Sequence, residues 1–416
     1  MAGQSWEKTM EQTSESQRGE AHDFRQVLKH SPFHVRVDDI SQIKSWSSWN
    51  GYQTARCYDT LASEYFAIRS SCSVMDLTPM EKYRISGPDA NRFLSRLVVR
   101  NISKLRVNRV TYVVWCNDDG KVLDDGTIFR LAESEYRLCS QHHQLDWLLI
   151  SSLGMDVNII EETHDVAALS VQGPTACAVL SEAGIEDLGQ LKPFQIMQTT
   201  MLGFELTVSR TGYTGDLGYE LWTGTDNALK LWDTIFGVKA RGLYDVKPIG
   251  LEALEIVRVE AGFILPGDDF NTAETTVRAE HDRSPFELGL DWLVNFEKGY
   301  FTGKRALRRE QGNPIKRRLV KLKVEGNKPP TDSFLYDAKN GQRIGTIKTN
   351  IWSPILKANL TMADIEYKQG KAPGDIWAEI YYQKELEWRA TWAQCSVSEE
   401  PFWSHPRRTA KPPAMY

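Results

Sequence analysis

The stretch Arg210-Thr-Gly-Tyr-Thr-Gly-Asp-Leu-Gly-Tyr-Glu220 decides how this chain is read. Three glycines within eleven residues mark a backbone that turns sharply or lets another group come close. Tyr213 and Tyr219 are interleaved with the carboxylates Asp216 and Glu220. A plain turn needs Gly, Asn or Pro and has no use for a fixed Tyr-to-Glu spacing.

Outward from this stretch, Phe204–Ser209 reads as the strand that delivers it. Upstream, Ala62–Ser71 is patterned as a helix leading into Val74-Met75-Asp76-Leu77, and Lys82–Ser86 as a strand. After the Gly87-Pro88 turn, Asp89 is placed to N-cap a helix through Leu97. Thr111–Cys116 and Val122–Leu131 read as strands around an Asn117–Gly120 hairpin turn. Tyr136–Ser140 and Val166–Val171 are further strands. Leu145–Leu153, Thr175–Glu182, Asn227–Phe236 and Ile249–Glu260 are helices. From about Leu319 the chain is β-rich, with strands at Val320–Val324, Arg343–Thr349 and Ile376–Tyr382. Strand-helix-strand units followed by a β-rich end predict an α+β fold closed by a C-terminal β-barrel. The 416 residues exceed one core, so two or three domains are expected. Residues 1–22 are polar and read as a disordered arm, and residues 404–416 as a loose tail.

The composition is 41% hydrophobic and 25% charged, with a net charge of −5. No basic footprint supports a nucleic-acid partner. No apolar run approaches the roughly 18 residues of a membrane span. The N-terminus lacks the apolar core of a signal peptide. The expectation is a soluble, cytoplasmic protein with no membrane association. No GxGxxG opens a helix after a strand and no GxxxxGK[ST] is present, so nicotinamide and ATP folds lose their usual support. The six cysteines are widely spaced, without CxxC or zinc spacing, and read as buried thiols. His142 and His143 point to opposite faces if they lie on a strand, so no metal site is expected. Asp124 and Asp125 lie in an extended segment and also face opposite sides. One can meet solvent while the other faces an interior channel, or both decorate a hairpin. A carboxylate aimed into an enclosed site requires a donor or a cation.

Several segments carry a resemblance. Arg210–Glu220 is similar to the R-T-G-Y-T-G-E-x-G-[FY]-E signature of the glycine-cleavage T-protein (aminomethyltransferase) superfamily. Asn117–Gly126 is similar to its N-E-D-G-G-x-[IL]-D-D-L, with Tyr112 upstream at the family spacing. Tyr65–Met80 resembles H-x-A-V-R-x-x-x-G-L-F-D-L-S-H-M, Leu169–Pro174 resembles A-L-Q-G-P, and Arg258–Gly262 resembles R-L-E-A-G. Gly299–Leu307 and Ser353–Leu356 resemble F-I-G-R-E-A-L and S-P-T-L. The matches run in order over roughly residues 50 to 400, and that order is more specific than any single piece.

The resemblance implies a three-domain cloverleaf around a central channel that holds tetrahydrofolate. The implied boundaries are residues 23–84 plus 166–285, residues 85–165, and a barrel domain over residues 286–403. It implies Asp125 at the folate's reactive nitrogens, Glu220 at the aminopyrimidine edge, and Tyr112 and Tyr213 against the rings. Asp125 and Tyr213 are the catalytic candidates, Tyr213 as an acid for the leaving group.

Departures bear on the substrate. The family's G-L-G-A-R-D is Gly250–Glu255 here, with Leu254 in place of the arginine, and S-H-M is Thr78-Pro79-Met80. The segment Phe263–Pro285 is longer than its T-protein counterpart. Asp124–Phe129 also resembles the G-D-G-I-I-F of tetrahydrofolate-dependent aryl O-demethylases. The expectation is therefore a demethylase moving a methyl group from a small O-, N- or S-methylated compound to N5 of tetrahydrofolate. The alternatives are the aminomethyltransferase proper, with a lipoyl carrier protein as partner, and a non-catalytic folate-binding assembly factor. The last carries K-G-C-Y-x-G-Q, and Lys298–Lys304 lacks its cysteine.

Overall fold

The computed structural model describes residues 27–412, so the N-terminal arm expected over residues 1–22 lies outside the described residues. Three sheet-built units follow from the strand order. A six-stranded sheet runs Ile196–Met201, Phe204–Ser209, Gly218–Gly224, Val166–Gln172, Cys72–Asp76 and Val246–Pro248. A five-stranded antiparallel sheet runs Arg109–Cys116, Val122–Ala132, Glu135–Ser140, Glu81–Ser86 and Asn158–Glu161. The strands from Arg317–Val324 to Glu387–Ser398 close into a six-stranded barrel, as the β-rich end predicted. Strand Glu81–Ser86 pairs wholly within the second sheet, so that sheet begins at Glu81, inside the segment that the sequence reading gave to the first domain.

Period-2 alternation decides which faces meet. On strand Gly218–Gly224, Tyr219 and Leu221 pack with Leu169, Val171 and helices Ala176–Glu182 and Ala228–Ala240. The opposite face carries Glu220 and Trp222. Trp222 joins Ala168 in an apolar cluster with Val110, Phe129 and Cys139 of the five-stranded sheet. The Phe129 and Trp222 rings meet edge to face at 5.2 Å between centroids. A second seam packs helices Leu61–Ser70 and Leu251–Glu260 on barrel residues Ile351, Ala358 and Leu360. A third joins Val114, Cys116 and Val122 of the five-stranded sheet to Phe286, Leu288, Leu319 and Met362. The three units therefore touch pairwise.

Where the elements differ from the sequence reading, local chemistry explains it. Asp89 occupies the N-cap position, but its carboxylate accepts from the Asp156 amide at 3.0 Å and does not cap the helix. The stretch from Ser404 is not loose over its described residues. Arg407 forms a bidentate pair with Asp216 at 2.5 and 2.7 Å, and Arg210 donates to the Ala410 carbonyl at 2.5 Å. All six cysteines are buried and unbridged. Among the described residues, no helix is long and apolar enough to cross a membrane.

The units are locked by buried charge. Glu260, at the end of helix Leu251–Glu260, accepts from Arg69 at 2.6 Å, from Tyr65 at 2.6 Å and from the barrel residue Ser353 at 2.6 Å. Arg69 also donates to the Thr214 carbonyl at 2.7 Å and lies 3.7 Å from Asp216. Removing one partner of such a buried pair leaves charge uncompensated. Arg69→Met is expected to destabilise the fold by about 3–5 kcal/mol in denaturant titration; a loss below about 1 kcal/mol would mean the pair is not a keystone.

Candidate functional site

Two of the three glycines in the Arg210–Glu220 stretch are explained by one buried amide, while Gly215 adopts a left-handed φ of 72° against Ala261. The Gln172 side chain lies across the stretch, donating to the carbonyls of Thr211 and Tyr219 at 3.2 and 3.3 Å and accepting from the Thr214 hydroxyl at 2.9 Å. A Cβ on Gly212 or Gly218 would sit 2.1 or 1.9 Å from its Oε1. Only glycine lets the backbone wrap this closely. The wrap fixes where Tyr213 leaves the loop and where the strand restarts for Glu220.

Glu220 pairs with Ser209 and Ser170 in the sheet and points toward the five-stranded sheet, one step along from Trp222. Thr211 and Ser209 donate to its Oε2 at 2.6 and 3.5 Å. Among the described residues, no protein hydrogen bond falls on Oε1. Burial pushes its carboxyl up to about 7, against the pull of those two hydroxyls.

On the five-stranded sheet, Asp124 and Asp125 diverge as the extended backbone requires. Asp124 is fully buried and accepts the Asp125 and His142 amides, both at 2.9 Å. Asp125 faces the other way and accepts from the Tyr112 hydroxyl at 2.5 Å. Burial first, and the Asp124 charge second, push the Asp125 carboxyl up to about 7; the Tyr112 hydrogen bond pulls it down. Asp125 thus resides on the interior face, and the hairpin-decoration alternative does not describe it.

Tyr213 stacks on Phe263 with centroids 5.3 Å apart and planes inclined by 14°. Its hydroxyl donates to the Ile264 carbonyl. Burial raises its phenol well above the ordinary value, with Arg258 opposing and Asp125 adding to the rise, so both groups lie within electrostatic reach. A phenol already committed to a carbonyl is a poor proton donor near neutrality. The geometry therefore supports Tyr213 as a ring wall and weakens the acid role anticipated for it. Tyr112 is held similarly, with Trp292 stacked at 6.4 Å.

Sequence reasoning singled out the segment after Gly262 for its length but not the contacts that anchor it. It is pinned at both polar groups of Val122, just after the Asn117–Gly120 turn: Ala273 donates to the Val122 carbonyl at 2.8 Å, and the Val122 amide donates to the Arg283 carbonyl at 2.9 Å. Asp269 within it is fully buried, accepts from Arg258 and the Leu265 amide, and bonds Thr349 of the barrel. An Arg-to-Asp pair this far apart in sequence leaves no local signature. Trp115 and Trp222 are core residues: Trp115 donates to Gln144 at 3.1 Å, and Trp222 packs on Phe129. The histidine doublet splits, with His142 beside Asp124 at 3.6 Å and His143 beside Glu161 at 3.3 Å.

A carboxyl raised in the folded state binds a proton that the unfolded chain has released. The stability linked to Glu220 is therefore lost as pH rises from about 4.5 to about 7. Glu220→Gln is expected to raise stability at pH 8 by roughly 1–3 kcal/mol and to change little at pH 5. An equal effect at both pH values, in paired denaturant titrations, would contradict the raised carboxyl.

Residues 20–298 match the GCVT N-terminal domain. The chain is 33% identical over 324 residues to an aminomethyltransferase of Caldanaerobacter subterraneus subsp. tengcongensis, spanning 77% of this chain and 83% of that one. It is 30% identical over 331 residues to an aminomethyltransferase of Halothermothrix orenii, spanning 79% and 89%. The solved glycine cleavage system aminomethyltransferase T from Bartonella henselae shares the fold, with a TM-score of 0.77 at 24% identity over 91% of this chain and 98% of that one. The ordered motifs, the three sheet units and these likenesses agree, and the chain belongs to the T-protein (aminomethyltransferase) family.

Proposed function

We propose that this chain is a folate-dependent one-carbon transferase working as an aminomethyltransferase, with tetrahydrofolate as acceptor and a lipoyl-bearing carrier protein as donor. The names of its relatives support this donor over the methylated small molecule expected from the sequence. The observation that carries the reaction class is Asp125, whose carboxyl burial and the Asp124 charge push up to about 7 while the Tyr112 hydroxyl holds it in place.

The residues fit the acceptor. Among the described residues, one oxygen of Glu220 has no protein donor, which suits it to the paired N–H groups of an aminopyrimidine edge. Tyr213 and Phe263 present stacked aromatic faces for a pterin. Tetrahydrofolate supplies the nucleophilic nitrogen that takes up the one-carbon unit. Asp125, near its midpoint at neutral pH, can accept the proton that this nitrogen sheds or hold the nitrogen in place. Tyr112 fixes the carboxylate's rotamer, so the group is oriented before the donor arrives.

Demethylation of a small compound is the second reading, favoured by two specific observations. Leu254 packs against the seam between the helices and the barrel, where the family motif has arginine. The segment after Gly262 is anchored beside Tyr213 and Asp125, which narrows the room for a large donor. Incubation with tetrahydrofolate separates the two. Methylene-tetrahydrofolate formed only from the aminomethylated carrier supports the first reading. Methyl-tetrahydrofolate formed from a panel of methylated amines, sulfonium compounds and methoxyaromatics would replace it.

Asp125→Asn is expected to lose turnover while still binding reduced folate; full activity would remove Asp125 from the mechanism. Glu220→Ala is expected to weaken folate binding by about 2 kcal/mol, as for a lost charged hydrogen bond. Calorimetry showing unchanged affinity would remove Glu220 from the binding site.

A further inference from the structure

His142 is an unassigned group within reach of the reacting carboxylate. We propose that His142 is a positioning residue that, as an imidazolium, neutralises the buried Asp124 and so keeps Asp125 ionised and turned into the site. The inference rests on the role given to Asp125 above.

The geometry is specific. Asp124 is fully buried, and its two oxygens are taken by the amides of Asp125 and His142. Among the described residues, the one basic side chain within ion-pair distance of Asp124 is His142, with Nδ1 3.6 Å from Oδ2. That nitrogen is enclosed and has no hydrogen-bond partner at normal distance. The far edge of the ring lies against Gly267, with Nε2 3.6 Å from where a Cβ would be. The same segment holds the Tyr213 hydroxyl through Ile264. His142 therefore sits between the Asp124–Asp125 strand and the segment that backs Tyr213.

The charged groups facing His142 are acidic on every packed element: Asp124 and Asp125 from the strand, Asp268 from the loop before Phe270, and Glu274 beyond it. Asp124 and its neighbours outweigh burial and push the imidazole above its ordinary value. Asp125 faces Tyr112, Asp124, Asp269 and His142. Asp124 and Asp125 are adjacent like charges, and coupled carboxyls share protons unless a cation intervenes. His142 supplies that cation from the Asp124 side, leaving the Asp125 side open for ligand.

The test exploits opposite signs. His142→Gln removes the compensating charge, so the Asp125 carboxyl should titrate higher, by about one pH unit. Asp124→Asn removes the repelling charge, so Asp125 should titrate lower by a similar amount. The titration can be read directly by NMR of the full chain carrying 13C-carboxyl aspartate, with the Asp125 signal assigned by its loss in Asp125→Asn. The acid limb of turnover should move in the same directions, with the KM for tetrahydrofolate unchanged in His142→Gln. A signal unmoved by His142→Gln, or moved downward, overturns the proposal. Should Asp124→Asn fail to fold, the half-exposed His142→Gln decides alone. An active Asp125→Asn enzyme would instead overturn the role of Asp125, and the NMR titration would still report on His142.

Discussion

The structure depends on one buried group of charges around Glu260. Its carboxylate gathers Arg69 and Tyr65 from one helix and Ser353 from the barrel, while the Glu260 carbonyl accepts the Trp403 amide at 2.7 Å. Arg69 passes the connection to the Thr214 carbonyl and toward Asp216 inside the glycine-rich stretch, and Arg407 closes it from the C-terminal end. Apolar seams alone can slide, because burying one leucine is much like burying another. A carboxylate with four donors at set directions has one satisfied arrangement, and breaking it strands a charge in the interior. The group ties the six-stranded unit to the barrel and to the C-terminal stretch in a single relative placement, and the five-stranded sheet that carries Asp125 joins both through apolar seams.

Within this frame the two site carboxylates are held at a cost. Asp125 and Glu220 each have hydroxyl donors and no arginine or lysine ion pair at their oxygens among the described residues. Their carboxyls rise for that reason. Asp269 and Glu260 are more fully buried, but each is paired with an arginine, Arg258 or Arg69, and serves structure. A paired carboxylate has no capacity left for a ligand. An interior carboxylate left partly unsatisfied stores the affinity that a ligand's N–H groups release.

The sequence made this division only partly visible. The β-rich end, most helices and the sheet strands near Asp125 were legible because they rest on local periodicity. The strand Gly218–Gly224 was hidden inside its own motif: Gly212 and Gly218, which read as turn glycines, are required here by the Gln172 side chain, which lies 40 residues upstream of Gly212. Asp124 and Asp125 were separable by alternation alone, but which of them faced inward needed the register with Val114 and Trp115. Arg258–Asp269 and Arg407–Asp216 were not legible at all, because ion pairs between distant segments impose no pattern on either one. The tail was misread for the same reason: its prolines and basic residues describe a coil, and a coil can be fixed by its partners.

The same physics explains why the chain announces its cofactor more clearly than its donor. The cofactor-side groups project from paired strands, or from a loop clamped by Gln172, so their spacing is set by backbone geometry and survives as a readable motif. The segment after Gly262 has a course set by single contacts instead: Ala273 and Arg283 on Val122, and Asp269 on Arg258 and Thr349. Contacts of that kind tolerate changes of length and sequence between them. Leu254 is permissive in the same way, since an apolar residue there extends a seam that already exists. A family signature concentrated on the strands therefore fixes what is held, while the segment after Gly262 is where specificity can diverge without disturbing the fold.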